Sequence, residues 1–199
     1  MPTRTGTYSR TTGETDVQVT IALDGTGVSN INTGNGVLDH LLNQLCRHGL
    51  LDLDVQAKGD YLQTGWHHTV EDTGIALGRA FAAAIGEGKG VRRMGHALVP
   101  LDEALAQVAL DISGRGYGVI ELGISGTDIG GLPGDLVRHF LQSFAVEARI
   151  TLHVTVLTGV NAHHRAEAAF KALARALRDA VELDPRSSQV PSTKGTISA

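Results

Sequence analysis

The sequence predicts an α+β protein built from two copies of one half-domain, each half a sheet with two helices on one face. Two observations carry this prediction. A set of motifs occurs twice in the same order. In both copies, strand-like alternation of apolar and polar residues is interleaved with longer segments of helical periodicity. We expect one compact domain, with a first half over 1–92, a second half over 93–183 and a C-terminal tail over 184–199.

The repeat is carried by histidine-containing motifs. The motif DHLL around His40 returns as RHFL around His139. A strand pattern follows at the same spacing, and then HHTVE, which starts at His67, returns as HHRAE, which starts at His163. The segment ALGRA returns as ALARA behind it. Because the motifs keep their order, chance is a poor explanation and we infer an internal duplication.

The elements follow the same order in each half. An alternating strand over 17–23 is followed by a strand or irregular segment over 28–33 and a helix over 37–47. A further strand over 51–57 leads through a Gly-containing loop into an Ala-rich helix over 67–85. The corresponding elements of the second half lie over 106–112, 116–122, 136–148, 150–156 and 163–181. The tail contains Pro, Ser and Gly and is predicted to be irregular.

Composition narrows the possible functions. The chain has 199 residues and a net charge of -4, so a basic surface for nucleic acid is not expected. No apolar run is long enough to span a membrane, and the N-terminal segment lacks the apolar core of a signal peptide. Cys46 is the single cysteine, so no internal disulfide can form. We therefore expect a soluble, cytoplasmic protein.

The duplicated histidines are candidate metal ligands. A lone histidine is usually structural, but here a whole set is repeated together with its glutamate. Neighbouring residues on a helix point about 100° apart, so the two members of each His-His pair should serve different ions. The expected arrangement is two sites of three histidines and one carboxylate, each with open positions. The eight candidate ligands are His40, His67, His68, Glu71, His139, His163, His164 and Glu167.

The ligand types leave the metal open. Nitrogen and oxygen ligands without thiolate suit manganese, iron, zinc or cobalt. The pattern is not HExxH, which disfavours a zinc protease of that type. Three function classes remain on this evidence: a metal-dependent enzyme acting on a small molecule, a non-catalytic metal-binding assembly, and a duplicated metallohydrolase.

The chain resembles the imidazoleglycerol-phosphate dehydratases of histidine biosynthesis. The resemblance runs from about residue 11 to 195 and rests on LDGTG, DHLLNQLCRHG, HHTVEDTGIALG, RRMG, PLDEALA, LDISGR, RHFLQSF, HHRAEAAFKALARALR and PSTKG. It implies a duplicated fold with a four-stranded sheet in each half and an assembly of 24 subunits. It also implies two manganese ions per active site, built at subunit contacts. Gly65-Trp66, just before His67, is an unusual feature.

The reaction implied by the resemblance converts imidazoleglycerol phosphate to imidazoleacetol phosphate and water. The proton to be removed is not beside a carbonyl, and hydroxide is a poor leaving group. Two cations on the ring nitrogens would favour a metal-bridged imidazolate, whose electrons can expel the neighbouring hydroxyl. Proton transfer near the diol needs an acid/base. The candidates are Glu14, Glu71, Glu167 and a metal-bound water.

Substrate contacts are also implied by the resemblance. A phosphate group needs cations and hydroxyl or amide donors, and the C-terminal tail supplies some of them. Without the resemblance, each cation would be read as a surface residue and the tail as frayed. The implied substrate-binding residues are Glu14, Arg93, Arg115, Lys171, Ser192 and Lys194.

Overall fold

The computed structural model describes residues 4–59 and 61–197, so the first residues of the first half and the end of the tail lie outside the described residues. The elements of the first half are β1 (Thr5–Thr11), β2 (Thr15–Ala22), β3 (Ser29–Asn32), α1 (Gly36–Gly49), β4 (Asp52–Gly59), the short α2 (Tyr61–Thr64) and α3 (His67–Ile85). Those of the second half are β5 (Met94–Leu101), β6 (Ala104–Asp111), β7 (Tyr117–Glu121), α4 (Gly134–Glu147), β8 (Thr151–Thr158) and α5 (Ala162–Val181).

Each half contains one four-stranded sheet, and the two sheets have the same topology. The strand order is β1-β2-β4-β3 in the first sheet and β5-β6-β8-β7 in the second. In both sheets two antiparallel pairings are followed by one parallel pairing at the β3 or β7 edge. The predicted α+β fold with an internally duplicated half-domain is therefore confirmed.

The four long helices lie between the two sheets. α3 packs on β1 and β2 of its own half, and α5 packs on β5 and β6 of the other half. Across the boundary between the halves, α1 packs against α5 and α3 packs against α4. The rings of Phe81 and Phe144 join α3 to α4 with centroids 5.9 Å apart, and within the second half the rings of Phe140 and Phe170 join α4 to α5 with centroids 5.7 Å apart. The core is thus shared by both halves.

Two glycines in α3 let it approach α4 closely. A Cβ atom on Gly74 would lie 2.9 Å from the carbonyl oxygen of Phe140. A Cβ atom on Gly78 would lie 2.8 Å from both the Phe144 oxygen and the Ala148 amide nitrogen. Real Cβ atoms do not come so near a backbone, so only glycine fits at this helix contact.

The edge strands β1 and β5 have no counterpart in the elements predicted from periodicity. Each of these strands packs on a helix at a buried glycine. A Cβ atom on Gly6 would lie 2.0 Å from the carbonyl oxygen of Ala80, and one on Gly95 would lie 2.0 Å from that of Ala176. The predicted Gly-containing loop before the second helix contains the four-residue α2. None of the described helices is both long enough and apolar enough to cross a lipid bilayer.

Candidate metal centre and substrate site

One cluster of possible metal ligands joins α1 of the first half to α5 of the second. Glu167 Oε2 lies 2.9 Å from His40 Nε2 and 3.1 Å from His163 Nε2. Glu167 Oε1 accepts a 2.7 Å contact from Lys171 Nζ. Burial opposes ionisation of Glu167, but the Lys171 ammonium and the His40 imidazole outweigh it and lower the pKa of Glu167 to about 2. The group therefore carries a permanent negative charge at neutral pH.

A second cluster also contains two histidines and one glutamate. Here the His/Glu pair comes from the first half and the lone histidine from the second. Glu71 on α3 lies 3.9 Å from His67 on the same helix, measured Oε2 to Nε2. Its other oxygen lies 3.2 Å from Nε2 of His139, which comes from α4. His139 Nε2 is buried and forms no hydrogen bond within the described residues. Buried polar atoms are normally satisfied, so this nitrogen is suited to a ligand.

Both clusters fit a divalent cation. In each, the three ligand atoms lie within 4.8 Å of one another. Ligands that bind one ion at about 2.0–2.2 Å stand about 3–3.5 Å apart, which is close to the spacing of these atoms. Two imidazoles and one carboxylate suit manganese, iron, cobalt or zinc. Each cluster takes its lone histidine from one half and its His/Glu pair from the other.

The second histidine of each pair points away from the cluster of the first. The rings of His67 and His68 are 5.8 Å apart and 83° inclined, and those of His163 and His164 are 6.3 Å apart and 73° inclined. This is the divergence that helix geometry predicts. The three-residue clusters therefore contain six of the eight predicted ligands, and His68 and His164 lie outside them.

Each of these outlying histidines faces a glutamate. His68 Nδ1 lies 3.3 Å from Glu14 Oε2, and His164 Nδ1 lies 2.8 Å from Glu103 Oε2. The imidazole of His164 and the backbone amide of Asn161 lower the pKa of Glu103 to about 2, and Glu103 in turn raises the pKa of His164. Glu103 was not among the predicted site residues.

The tail and the segments next to the strand ends of the second sheet line an open cationic cavity. Its volume is about 800 Å³, and it brings together four of the six predicted substrate-binding residues, with hydroxyls from Ser113, Thr193 and Thr196 added. The four are Arg93, Arg115, Ser192 and Lys194. The tail is not frayed, because Arg93 Nη1 donates to the Pro191 carbonyl oxygen at 2.7 Å. Such a cavity suits a phosphate group.

Arg93 has structural contacts as well as a place in this cavity. Its Nε and Nη2 donate to the two oxygens of Asp111 at 2.7 and 3.0 Å. Its backbone φ is 75°, a strained value for a residue with a side chain. Lys171 lies elsewhere, on Glu167 in the first metal cluster. The structure therefore places Lys171 apart from the four residues of the cavity, and Glu14 lies apart from them as well, beside His68.

The metal clusters and the cationic cavity lie at opposite ends of the helices. His163 is at the start of α5, whereas the Arg93 amide donates to the carbonyl oxygen of Ala180 near its end. α5 has 20 residues, so its ends are about 30 Å apart. Glu14 likewise lies beside His68 at the start of α3, while Ile197 of the tail meets Gly88 just beyond its end. Within one chain the two parts of the candidate site are far apart.

Comparison with known proteins identifies the family. A family model described as imidazoleglycerol-phosphate dehydratase matches residues 33–177. Proteins of this name from Gluconacetobacter diazotrophicus and Dehalococcoides mccartyi are 55% identical over 195 residues and 51% identical over 198, covering 98% and 99% of both chains. A crystal structure of the Staphylococcus aureus enzyme has a TM-score of 0.81 at 36% identity and covers 90% of this chain and 99% of its own. The Pyrococcus furiosus structure in complex with (S)-C348 has a TM-score of 0.80 at 36% identity, with coverage of 94% and 98%.

These similarities place the chain among the carbon–oxygen lyases that remove water from a small-molecule substrate. It belongs to the imidazoleglycerol-phosphate dehydratase family of histidine biosynthesis. The resemblance seen in the sequence is confirmed. The alternatives of a non-catalytic metal-binding assembly and of a metallohydrolase are set aside by this membership.

Proposed function

We propose that the chain is a manganese-dependent dehydratase that converts imidazoleglycerol phosphate to imidazoleacetol phosphate and water. The observation that supports metal dependence is the convergence of the His40, His163 and Glu167 ligand atoms, mirrored by that of His67, Glu71 and His139. When bound, two cations held by these residues would supply Lewis acidity toward the imidazole ring of the substrate. His68 and His164 complete the predicted set of eight ligands.

The remaining chemistry belongs to the protein's own side chains. Glu14 is half exposed at the β1–β2 turn, so its carboxylate can reach a substrate and move a proton at the diol. Glu71 and Glu167 remain the alternative proton carriers, although each already contacts histidines of its cluster. Arg115, Ser192 and Lys194 bind the phosphate, and Arg93 holds the tail in place beside them.

The site is completed by neighbouring subunits. The substrate, an imidazole ring joined to a glycerol phosphate chain, spans only about 10 Å. The metal clusters and the cationic cavity of one chain are separated by most of the length of α5, which is 20 residues long. One substrate molecule therefore contacts the clusters of one subunit and the tail of another. This arrangement supports active sites at subunit contacts, in an assembly that we expect to contain 24 subunits.

The activity is tested by stripping the protein of metal and following the formation of imidazoleacetol phosphate. We expect no product without metal and recovery on adding Mn²⁺. Full activity of protein shown by elemental analysis to be free of metal would overturn the proposed metal dependence. The cytoplasmic location stays a prediction from the sequence.

The shared site is tested by hybrids of two variants with impaired activity. Glu14→Gln and Lys194→Ala alter opposite ends of the helices without changing any predicted metal ligand. The two variants are co-expressed with different tags, and the hybrids are purified on both tags. Each site needs an intact Glu14 from one subunit and an intact Lys194 from another. Random mixing gives this combination in about a quarter of the sites, so the hybrids should regain about a quarter of the wild-type activity. Hybrids no more active than their parents would place the whole site within one chain.

A further inference from the structure

Glu103 is held at both of its carboxylate oxygens. It stands immediately before β6, and its Oε1 accepts hydrogen bonds from the backbone amides of Val160 at 3.2 Å and Asn161 at 2.9 Å. Its Oε2 lies 2.8 Å from Nδ1 of His164. The same glutamate thus fixes the loop before α5 and the imidazole that follows it.

Glu14 is the repeat-related glutamate, since it stands immediately before β2 and faces Nδ1 of His68. The two contacts differ in how firmly they are made. The Glu14 carboxylate is 3.3 Å from its histidine and 54% exposed, against 2.8 Å and 36% for Glu103. Within the described residues, no backbone amide donates to the Glu14 carboxylate. The duplicated glutamates have therefore diverged into a more exposed member and a fixed one.

We propose that Glu103 is a positioning residue that selects the ring nitrogen which His164 offers to a metal ion. This inference rests on the metal dependence proposed above. A carboxylate on Nδ1 holds the proton there, so Nε2 keeps its lone pair. Metal-binding histidines commonly donate their second ring N–H to a carboxylate in this way. Asp102 Oδ2 lies 4.0 Å from Nε2, which is too far for a hydrogen bond.

Glu103→Gln separates this role from the anchoring of the loop. The amide oxygen of glutamine can still accept from Val160 and Asn161, whereas its NH₂ group would oppose those two N–H donors. The NH₂ group therefore faces His164 Nδ1 and can only donate to it. The imidazole must then carry its proton on Nε2, the form that cannot bind a metal ion there.

The tautomer is measured directly by ¹⁵N solid-state NMR of metal-stripped, histidine-labelled protein at alkaline pH, where imidazoles are neutral. Comparison with His164→Ala identifies the signals. We expect His164 to be protonated on Nδ1 in the wild type and in Asp102→Asn, and on Nε2 in Glu103→Gln. An unchanged tautomer in Glu103→Gln would overturn the inference, whether or not the protein proves to be a manganese enzyme.

Metal binding gives the second measurement. Titration with Mn²⁺ should show one class of sites weakened about 10- to 100-fold in Glu103→Gln, with the thermal midpoint unchanged because the loop anchor remains. Asp102→Asn should bind as the wild type does. If His164→Ala weakens binding and Glu103→Gln does not, Glu103 has no positioning role. If Asp102→Asn weakens binding as much as Glu103→Gln, general negative charge accounts for the effect and the tautomer argument is wrong.

Discussion

His139 Nε2 lies 3.2 Å from Glu71 Oε1, although the two residues come from different halves of the chain. This contact exists because α3 and α4 approach each other across Gly74 and Gly78. The separation of two helices thus sets the geometry of a candidate metal cluster. The packing of α3 on α4 at Gly78 is therefore physically linked to the placement of the metal ligands at the end of that helix contact.

Gly78→Ala should therefore weaken both folding and metal binding. The new methyl group would meet backbone atoms at 2.8 Å, which costs about 1–3 kcal/mol and moves α4 away from Glu71. Thermal unfolding at one fixed protein concentration and Mn²⁺ titration measure the two effects. Gly36→Ala is the matched control, because that helical position has open space around it. Equal behaviour of the two variants would contradict the link.

Glu167→Gln should remove one metal site and leave the other. The amide lacks the charge that His40, His163 and Lys171 surround, and a neutral oxygen is a poorer ligand beside an unpaired lysine. We expect bound manganese, measured by elemental analysis after dialysis, to fall by about half. Glu121→Gln, at an exposed strand end, should keep the full content. Loss of both ions in Glu167→Gln would mean that the clusters do not bind independently.

Much of the fold could be predicted because the sequence contains an internal repeat. The inner strands β2, β4, β6 and β8 alternate clearly, since one face of each is buried. The edge strands β1 and β5 could not be found in the same way. β1 buries only Gly6 fully, and a buried glycine carries no hydrophobic signal. Pairing with a neighbour, rather than its own composition, makes such a segment a strand.

Lys194→Ala should slow the reaction without changing the metal content. Loss of one charge-assisted contact to phosphate costs about 1.5–3 kcal/mol, or about 10- to 150-fold in kcat/KM. Lys58→Ala on the exposed end of β4 is the control and should behave as the wild type. A Lys194→Ala protein with unchanged kcat/KM would remove the tail from the substrate site.

Trp66 should report metal binding through its fluorescence. It is the only tryptophan, it immediately precedes His67, and its ring stacks on Tyr61 at 4.4 Å and 1°. Bound Mn²⁺ has unpaired electrons that quench a nearby excited indole, whereas Zn²⁺ has none. Addition of Mn²⁺ to metal-stripped protein should therefore lower the emission, and addition of Zn²⁺ should not. Equal quenching by both ions would point to a conformational change instead.

Asp52 should make the free energy of unfolding decrease at acidic pH. Burial opposes its ionisation, but the backbone amides of Val28, Thr26 and Gly27 donate to one carboxylate oxygen and keep the pKa lowered. A lowered folded-state pKa gives stability that is present above the unfolded-state pKa and lost as the pH falls through the folded value.

Asp52→Asn keeps an acceptor oxygen without the charge. We expect it to be less stable than the wild type by about 1–2 kcal/mol at pH 7, and the difference should shrink as the pH falls below about 4. Thermal midpoints across this range, at one protein concentration, measure the effect. Asp54→Asn, on the exposed face of the same strand, should show a smaller dependence. A difference that stays constant with pH would contradict the proposed cause.

The candidate site was only partly predictable. All the cluster ligands could be found because the histidine motifs repeat, but their pairing between halves depends on which helices meet, which local sequence does not reveal. Glu103 was missed because an acidic residue in a turn is common. The available signal was positional, since Glu103 precedes β6 as Glu14 precedes β2.

The exchange of ligands between halves has an evolutionary consequence. A chain of half this length would carry one lone histidine and one His/Glu pair, and it would need a second copy of itself to bring the two together. Such a precursor would form two identical clusters by symmetry, with identical glutamates beside them. Fusion of the copies freed each from that symmetry, so that one glutamate could become anchored while the other stayed exposed.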